Sequence, residues 1–243
     1  MAHSEDEGVH WSELEALGEW GGIVVMGDCV PVGKDRLMAF FHDDGRFLHA
    51  SGKAEGAFKL LSSDSEDGGL TWGAPRELWS GADLNLCEPG CVRSPDGKRL
   101  ALLLRENRRA KNSHVMFSED EGLHWSAPRE LDPALTGDRH TARYAKDGRL
   151  VVTFRDMRAE SPTKGDWIAW VGSFEDLERS QPGQYRVRLA DNLEGADCGY
   201  PGAELLPDGT FVFATYGHWA EKESPYILCV RAKLAELDAR AGK

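Results

Sequence analysis

The chain has 243 residues, 41% of them hydrophobic, and its nine Phe, eight Trp and five Tyr can fill one large all-β core or two ordinary ones. Its 41 acidic against 29 basic side chains leave a formal charge of −12, which argues against nucleic acid or an anionic membrane as the main partner, because both demand basic patches. Five cysteines, scattered apart from Cys87 and Cys91 and without zinc-type spacing, are too few for a disulfide scaffold and point to buried free thiols; no apolar run approaches the roughly 18 residues that cross a bilayer.

The chain opens on Ser4-Glu5-Asp6-Glu7-Gly8-Val9-His10-Trp11, an acidic start with no hydrophobic signal region. The octapeptide returns as Ser65-Glu66-Asp67-Gly68-Gly69-Leu70-Thr71-Trp72 and as Ser118-Glu119-Asp120-Glu121-Gly122-Leu123-His124-Trp125. All three copies read S-x-D-x-G-x-[TH]-W, with 61 and then 53 residues between successive tryptophans. A motif at that interval signals a repeat architecture. Its residue types suit a stapled turn: Ser and Asp bond nearby backbone N–H groups, Gly supplies positive φ, and Trp anchors the turn.

After a connector over 13–20, residues 22–26 begin the first extended run, and 30–41 read as strand, tight turn, strand. The same shape follows at Pro95-Asp96-Gly97, Lys146-Asp147-Gly148 and Pro207-Asp208-Gly209, each between apolar runs. Asp-Gly in that setting is a strong hairpin signal. Two hairpins lead into a turn motif and a near-identical tail, Ala74-Pro75-Arg76-Glu77-Leu78 and Ala127-Pro128-Arg129-Glu130-Leu131. No helical period persists except weakly in the last dozen residues. Units of about four short antiparallel strands are propeller blades, expected over 22–78, 86–131, 137–190 and 199–237, with 1–11 closing an incomplete blade, all in one domain spanning 1–243.

Aligned on the hairpin glycines, Glu88, Arg139 and Tyr200 share one position at the opening of successive inner strands, and Arg105, Arg155 and Tyr216 share another at the end of the next strand. Core positions would carry similar apolar residues. Chemically unlike polar residues in one register predict a site at the propeller axis, with Asp138 and His140 placed to orient the Arg139 guanidinium.

The octapeptide resembles the Asp-box of sialidases and related BNR-repeat β-propellers, where its role is structural. The resemblance implies an all-β, sialidase-type propeller with about four of the family's six blades plus a partial one. Sialidases carry a Glu opening the fourth blade, an Arg ending its next strand, an Arg in the fifth blade and a Tyr opening the sixth; Glu88, Arg105, Arg139 and Tyr200 are similar in order and context. The resemblance implies Tyr200 as nucleophile, Glu88 as its base, and Arg105 and Arg139 as two members of the family's arginine triad binding a sialic-acid-like or other anionic glycan; Arg155, from its register, and His140, from its place beside Arg139, join the expected binding set. No cofactor or metal is implied. The family's Arg-Ile-Pro stretch is absent from the sequence, and the setting of Asp28, Asp43 and Asp44 does not match its acid/base segment. Weak binding of such a carboxylate with negligible turnover by this chain alone, and self-association through open blade edges, are therefore expected. The alternatives are a non-catalytic carbohydrate-binding propeller, which needs only the arginines, and a scaffold propeller, which needs neither.

Overall fold

A computed structural model of the chain describes residues 1–17, 27–44 and 58–243. The expected extended run at 22–26, and with it the opening of the first unit, lies outside the described residues. The remainder forms four antiparallel sheets. Blade 1 holds β1 (Asp28–Val32), β2 (Arg36–Asp43), β3 (Lys59–Ser65) and β4 (Arg76–Ser80); blade 2 holds β5 (Leu86–Arg93), β6 (Leu100–Glu106), β7 (His114–Ser118) and β8 (Arg129–Glu130). Blade 3 holds β9 (Gly137–Tyr144), β10 (Leu150–Asp156), β11 (Trp167–Gly172) and β12 (Tyr185–Ala190). Blade 4 has three strands, β13 (Gly199–Leu205), β14 (Thr210–Gly217) and β15 (Tyr226–Lys233). Strands follow chain order from the inside outward, so β1, β5, β9 and β13 are the inner strands, and neighbours among them touch.

Local chemistry accounts for the hairpins. Gly97, Gly148 and Gly209 sit at φ of 76°, 87° and 83°. The Asp before each accepts from the backbone N–H two residues on, from Lys98, Arg149 and Thr210 at 2.9–3.1 Å. Each aspartate thus closes its own turn.

The three octapeptides bond alike. In the second, Gly69 N donates to Ser65 Oγ, Thr71 N to Asp67 Oδ1, and the Trp72 indole to Gly69 O, all at 2.8–2.9 Å. Hydrogen bonds from Thr71, the hydroxyl first, hold the Asp67 carboxyl at about 2. In blades 1 and 2 these turns join the third strand to the fourth, on the periphery. The copy in blade 2 also fastens the neighbouring blade: Glu121 pairs with Arg93 at 2.7 Å and accepts from Gly33 N at 2.8 Å, while Trp125 meets Phe40 edge-on at 5.7 Å.

Blade 3 departs from this scheme. Between β11 and β12 stands a six-residue helix, α1 (Phe174–Arg179), with a Ser173/Asp176 capping box. Its Phe174 and Leu177 fill the space between blades 2 and 3. A helix that short cannot show a period of 3.6, so the sequence pattern misses it. The unit expected over 199–237 gives way to a helix before its end, where the weak helical period lies: β15 ends at Lys233, where Glu236 accepts from its backbone N–H and opens α2 (Leu234–Arg240).

Apolar layers fill the spaces between successive blades, led by Met38, Phe40 and Leu102, then Leu103, Phe154 and Trp170, then Trp167, Phe211 and Phe213. All five cysteines are free. Cys87, Cys91 and Cys198 are buried, whereas Cys29 and Cys229 are exposed, which corrects the expectation of buried thiols throughout.

Candidate functional site

Glu88, Arg139 and Tyr200 each open an inner strand, and each has a left-handed backbone, at φ of 51°, 59° and 60°. The ladder slips at the same place in all three blades, between Cys87 and Gly90, between the partners of Thr153 and Arg155, and between Gly199 and Gly202. A bulge re-aims a side chain, and a non-glycine residue held at positive φ costs on the order of 1–3 kcal/mol. Three unlike residues carry this strain in one register. It turns them toward a cavity of about 200 Å³ whose walls include Glu88, Pro89, Arg139, Thr141 and Tyr200. The inner strands come very close beneath it: a Cβ on Gly90 would lie 2.0 Å from the His140 carbonyl oxygen.

Register also matches the second set. Arg105 pairs with Cys87, Arg155 with Asp138 and Tyr216 with Gly199, in each case the residue before the bulged one. The two arginines converge on Asp138, whose side chain is 1% exposed. Arg105 Nε lies 3.2 Å from Oδ1, Arg109 reaches both oxygens at 2.6 and 2.7 Å, and Arg155 Nε donates to Oδ2 at 2.9 Å. Burial pushes the Asp138 carboxyl up, but Arg109, Arg105 and Arg155 outweigh it and hold the group below the usual carboxylate range. Arg105 Nη1 also donates to Glu88 Oε1 at 2.9 Å, and Arg139 Nε lies 3.6 Å from the same oxygen. Among the described residues, Glu88 Oε2 is buried without a hydrogen-bond partner. The Arg139 guanidinium covers the Tyr200 ring, 4.1 Å from its centroid.

The six residues named from the sequence therefore divide. Glu88, Arg139 and Tyr200 meet at the cavity, with Arg139 standing between the other two; Glu88 and Tyr200 share no hydrogen bond. Arg105 reaches Glu88 from behind while serving Asp138. Arg155 is turned to Asp138 and to the carbonyls of Ala196 and Cys198, the latter at 2.7 Å. His140 belongs to the cavity wall, but its Nε2 faces the Leu135 carbonyl at 2.8 Å and its ring packs on Phe154. Asp28 staples β1 to β5 by accepting from Cys91 N at 2.8 Å, and its burial pushes the carboxyl up. Asp43 is fully buried, with neither oxygen hydrogen-bonded among the described residues.

Arg109 and the central part played by Asp138 were not legible from spacing. A further repeat could have been read: an acid follows the strand-end residue in each of the first three blades, as Asp43, Glu106 and Asp156. Glu106 accepts from the N–H groups of Asn85, Arg108 and Ala110, and Asp156 from Arg158 N, Ser161 and Thr163, so both brace the following loop.

A family profile described as a BNR repeat-like domain matches residues 1–186. No curated protein sequence matches the chain. Among solved structures, a protein of unknown function from Dyadobacter fermentans superposes with a TM-score of 0.73 at 17% identity, over 95% of this chain and 62% of its own. The Hadza microbial sialidase Hz136 gives 0.68 at 19%, over 97% and 43%. The intramolecular trans-sialidase of Ruminococcus gnavus, solved with oseltamivir carboxylate, gives 0.66 at 19%, over 97% and 50%. The chain thus spans between two fifths and two thirds of the length of these structures, and the likeness is one of fold.

Proposed function

The chain belongs to the family of BNR repeat-like domains, and from that premise we propose that it acts on a terminal anionic sugar in the manner of an exo-sialidase. Arg139 takes the sugar carboxylate, Tyr200 is the nucleophile and Glu88 its base. One observation carries the reading. Arg105, Arg109, Arg139 and Arg155 form a single ion-pair network with Glu88 and Asp138, and Arg139 lines the cavity, so guanidinium groups are concentrated at the axis of a chain whose formal charge is −12. Guanidinium groups gathered at a small cavity favour an anionic ligand, and each binds a carboxylate through a matched fork of donors.

The choice of nucleophile follows from the same charge. A substrate carboxylate repels a second carboxylate at the reacting carbon, and sialidases accordingly use tyrosine. Glu88 Oε1 is tied to Arg105, while Oε2 has no hydrogen-bond partner among the described residues; in this reading Oε2 takes the phenol proton through water, because Arg139 stands between the two side chains. The Tyr200 oxygen then bonds to the anomeric carbon as the glycosidic bond breaks, and the departing oxygen takes a proton from solvent water. In a second step water adds to the anomeric carbon and gives up its proton to solvent, while the Tyr200 oxygen leaves and takes back its proton from Glu88.

A second reading, a carbohydrate-binding propeller without turnover, is favoured by the commitment of Arg105 and Arg155 to Asp138, which leaves Arg139 facing the cavity. A fluorogenic α-sialoside separates the two. Turnover that falls about 10²–10⁴-fold in Glu88→Gln and is lost in Tyr200→Phe supports the enzyme. Sialic acid bound without turnover, and released in Arg139→Ala, supports the binding protein. Neither turnover nor binding refutes both.

A further inference from the structure

At the strand-end position, blades 2 and 3 place Arg105 and Arg155, whereas blade 4 places Tyr216. Around it the chemistry changes from cationic to aromatic and acidic. The Tyr216 ring lies 6.2 Å from the Tyr200 ring at an interplanar angle of 28°, so an aromatic surface continues outward from the cavity wall. Tyr216 Oη donates to Asp197 Oδ1 at 3.0 Å, and the other Asp197 oxygen lies 2.9 Å from His218 Nε2. We propose that Tyr216, Asp197 and His218 form a subsite for a second, neutral sugar, the unit to which the anionic sugar at Arg139 is joined. The inference rests on the preceding reading that the cavity takes an anionic sugar.

The wall suits that ligand class. Sugar-binding surfaces combine an apolar or aromatic platform with a few fixed polar groups, and the C–H face of a hexose lies flat on a tyrosine ring. Burial, followed by the bond to Asp197, pushes the Tyr216 phenol up to about 12, so the ring stays neutral and keeps its proton. The Asp197 side chain is 58% exposed, leaving its outer lone pairs open to hydroxyl groups. Its negative charge disfavours a second anion here, which assigns the anionic sugar to Arg139 and a neutral one to blade 4.

The wall is also built in advance. Arg155 grips the carbonyls on either side of Asp197, those of Ala196 and Cys198. Asn192 Nδ2 donates to the carbonyls of Gly165, Glu194 and Gly195, and Asn192 Oδ1 accepts from His218 N at 3.0 Å. A loop held from both ends loses little freedom when a ligand arrives.

The test is a set of NMR titrations of the full chain with N-acetylneuraminic acid, 3′-sialyllactose and lactose, which needs no turnover. The expected result is an affinity for 3′-sialyllactose about tenfold above that for the free acid, the scale of one added aromatic contact. Tyr216→Ala abolishes the difference between the two ligands, while Tyr216→Phe retains most of it and shows that the ring carries the effect. Equal affinities in the wild-type chain, or a Tyr216→Ala loss shared equally by both ligands, overturn the subsite while the anionic-sugar reading stands. Binding of neither acid overturns both readings together.

Discussion

Replacing Asp138 tests whether the axis is held by its charge network. The side chain is 1% exposed and holds three guanidinium groups whose side chains are 17–31% exposed. Removing one partner of a buried ion pair costs about 3–5 kcal/mol, because the opposite charge is left unmatched. Asp138→Ala leaves three such charges, which water reaches only in part, so the same range of about 3–5 kcal/mol applies to the cluster as a whole. For a chain of this size each kcal/mol lowers the melting temperature by about 2–4 °C, which places the expected drop at roughly 6–20 °C. Asp138→Asn keeps an acceptor and loses the charge, for a cost of roughly 2 kcal/mol. Circular-dichroism melts at neutral pH measure both variants. Repeating them in 1 M salt separates this cluster from a surface pair, since a buried network is screened far less. An Asp138→Ala melt within about 2 °C of wild type would refute the argument that the arginines depend on this carboxylate.

Gly90→Ala drives a methyl group onto the His140 carbonyl, whereas at the equivalent Gly202 the nearest atom to a Cβ is 3.9 Å away; urea midpoints are expected to show a loss of about 3 kcal/mol or more for the first and little for the second. His42 accepts from Glu88 N and is held at about 4 by burial first and then by Arg139. Its folded value lies below 6.5, so the unfolded chain takes up the proton first, and stability on the order of 3 kcal/mol is lost as pH falls from 6.5 to about 4. His42→Asn flattens that part of the stability-against-pH curve, and an unchanged slope would remove His42 as its cause. Arg155→Gln frees the Ala196 and Cys198 carbonyls, so hydrogen exchange of the amides over 196–200 is expected to quicken at least tenfold while β5 and β6 keep their protection; unchanged exchange there would restore a direct ligand role for Arg155.

The four arginines and two acids at the axis show how charge can be used twice. Arg105 and Arg155 reach the same buried aspartate from neighbouring blades, and each then serves a second group, Glu88 in one case and the backbone preceding Tyr200 in the other. The positions of the proposed base and nucleophile are thereby coupled through Asp138. A change at either arginine is expected to displace a neighbour as well as alter the ligand's charge environment.

What the sequence determined by itself is local. The Asp-Gly hairpins and the Ser-Asp-Gly-Trp turns are closed by residues two to four positions apart, so spacing and residue type suffice to specify them. The shared register of Glu88, Arg139 and Tyr200 was legible for a related reason: each stands nine residues before a hairpin glycine, and the hairpin sets the strand. Only the tertiary structure decided which of these polar residues face the cavity. Arg105 and Arg109 lie 33 and 29 residues from Asp138 and reach it only because blade 2 packs on blade 3, while Arg155 meets it as a ladder partner within blade 3. His140 is turned from the cavity by a carbonyl and a phenyl ring inside its own blade. A single helical turn and a half, α1, replaces the third blade's peripheral turn because Phe174 and Leu177 find an apolar space between blades to fill. Contacts of this kind follow from blade-to-blade packing, which residue spacing within one repeat does not encode.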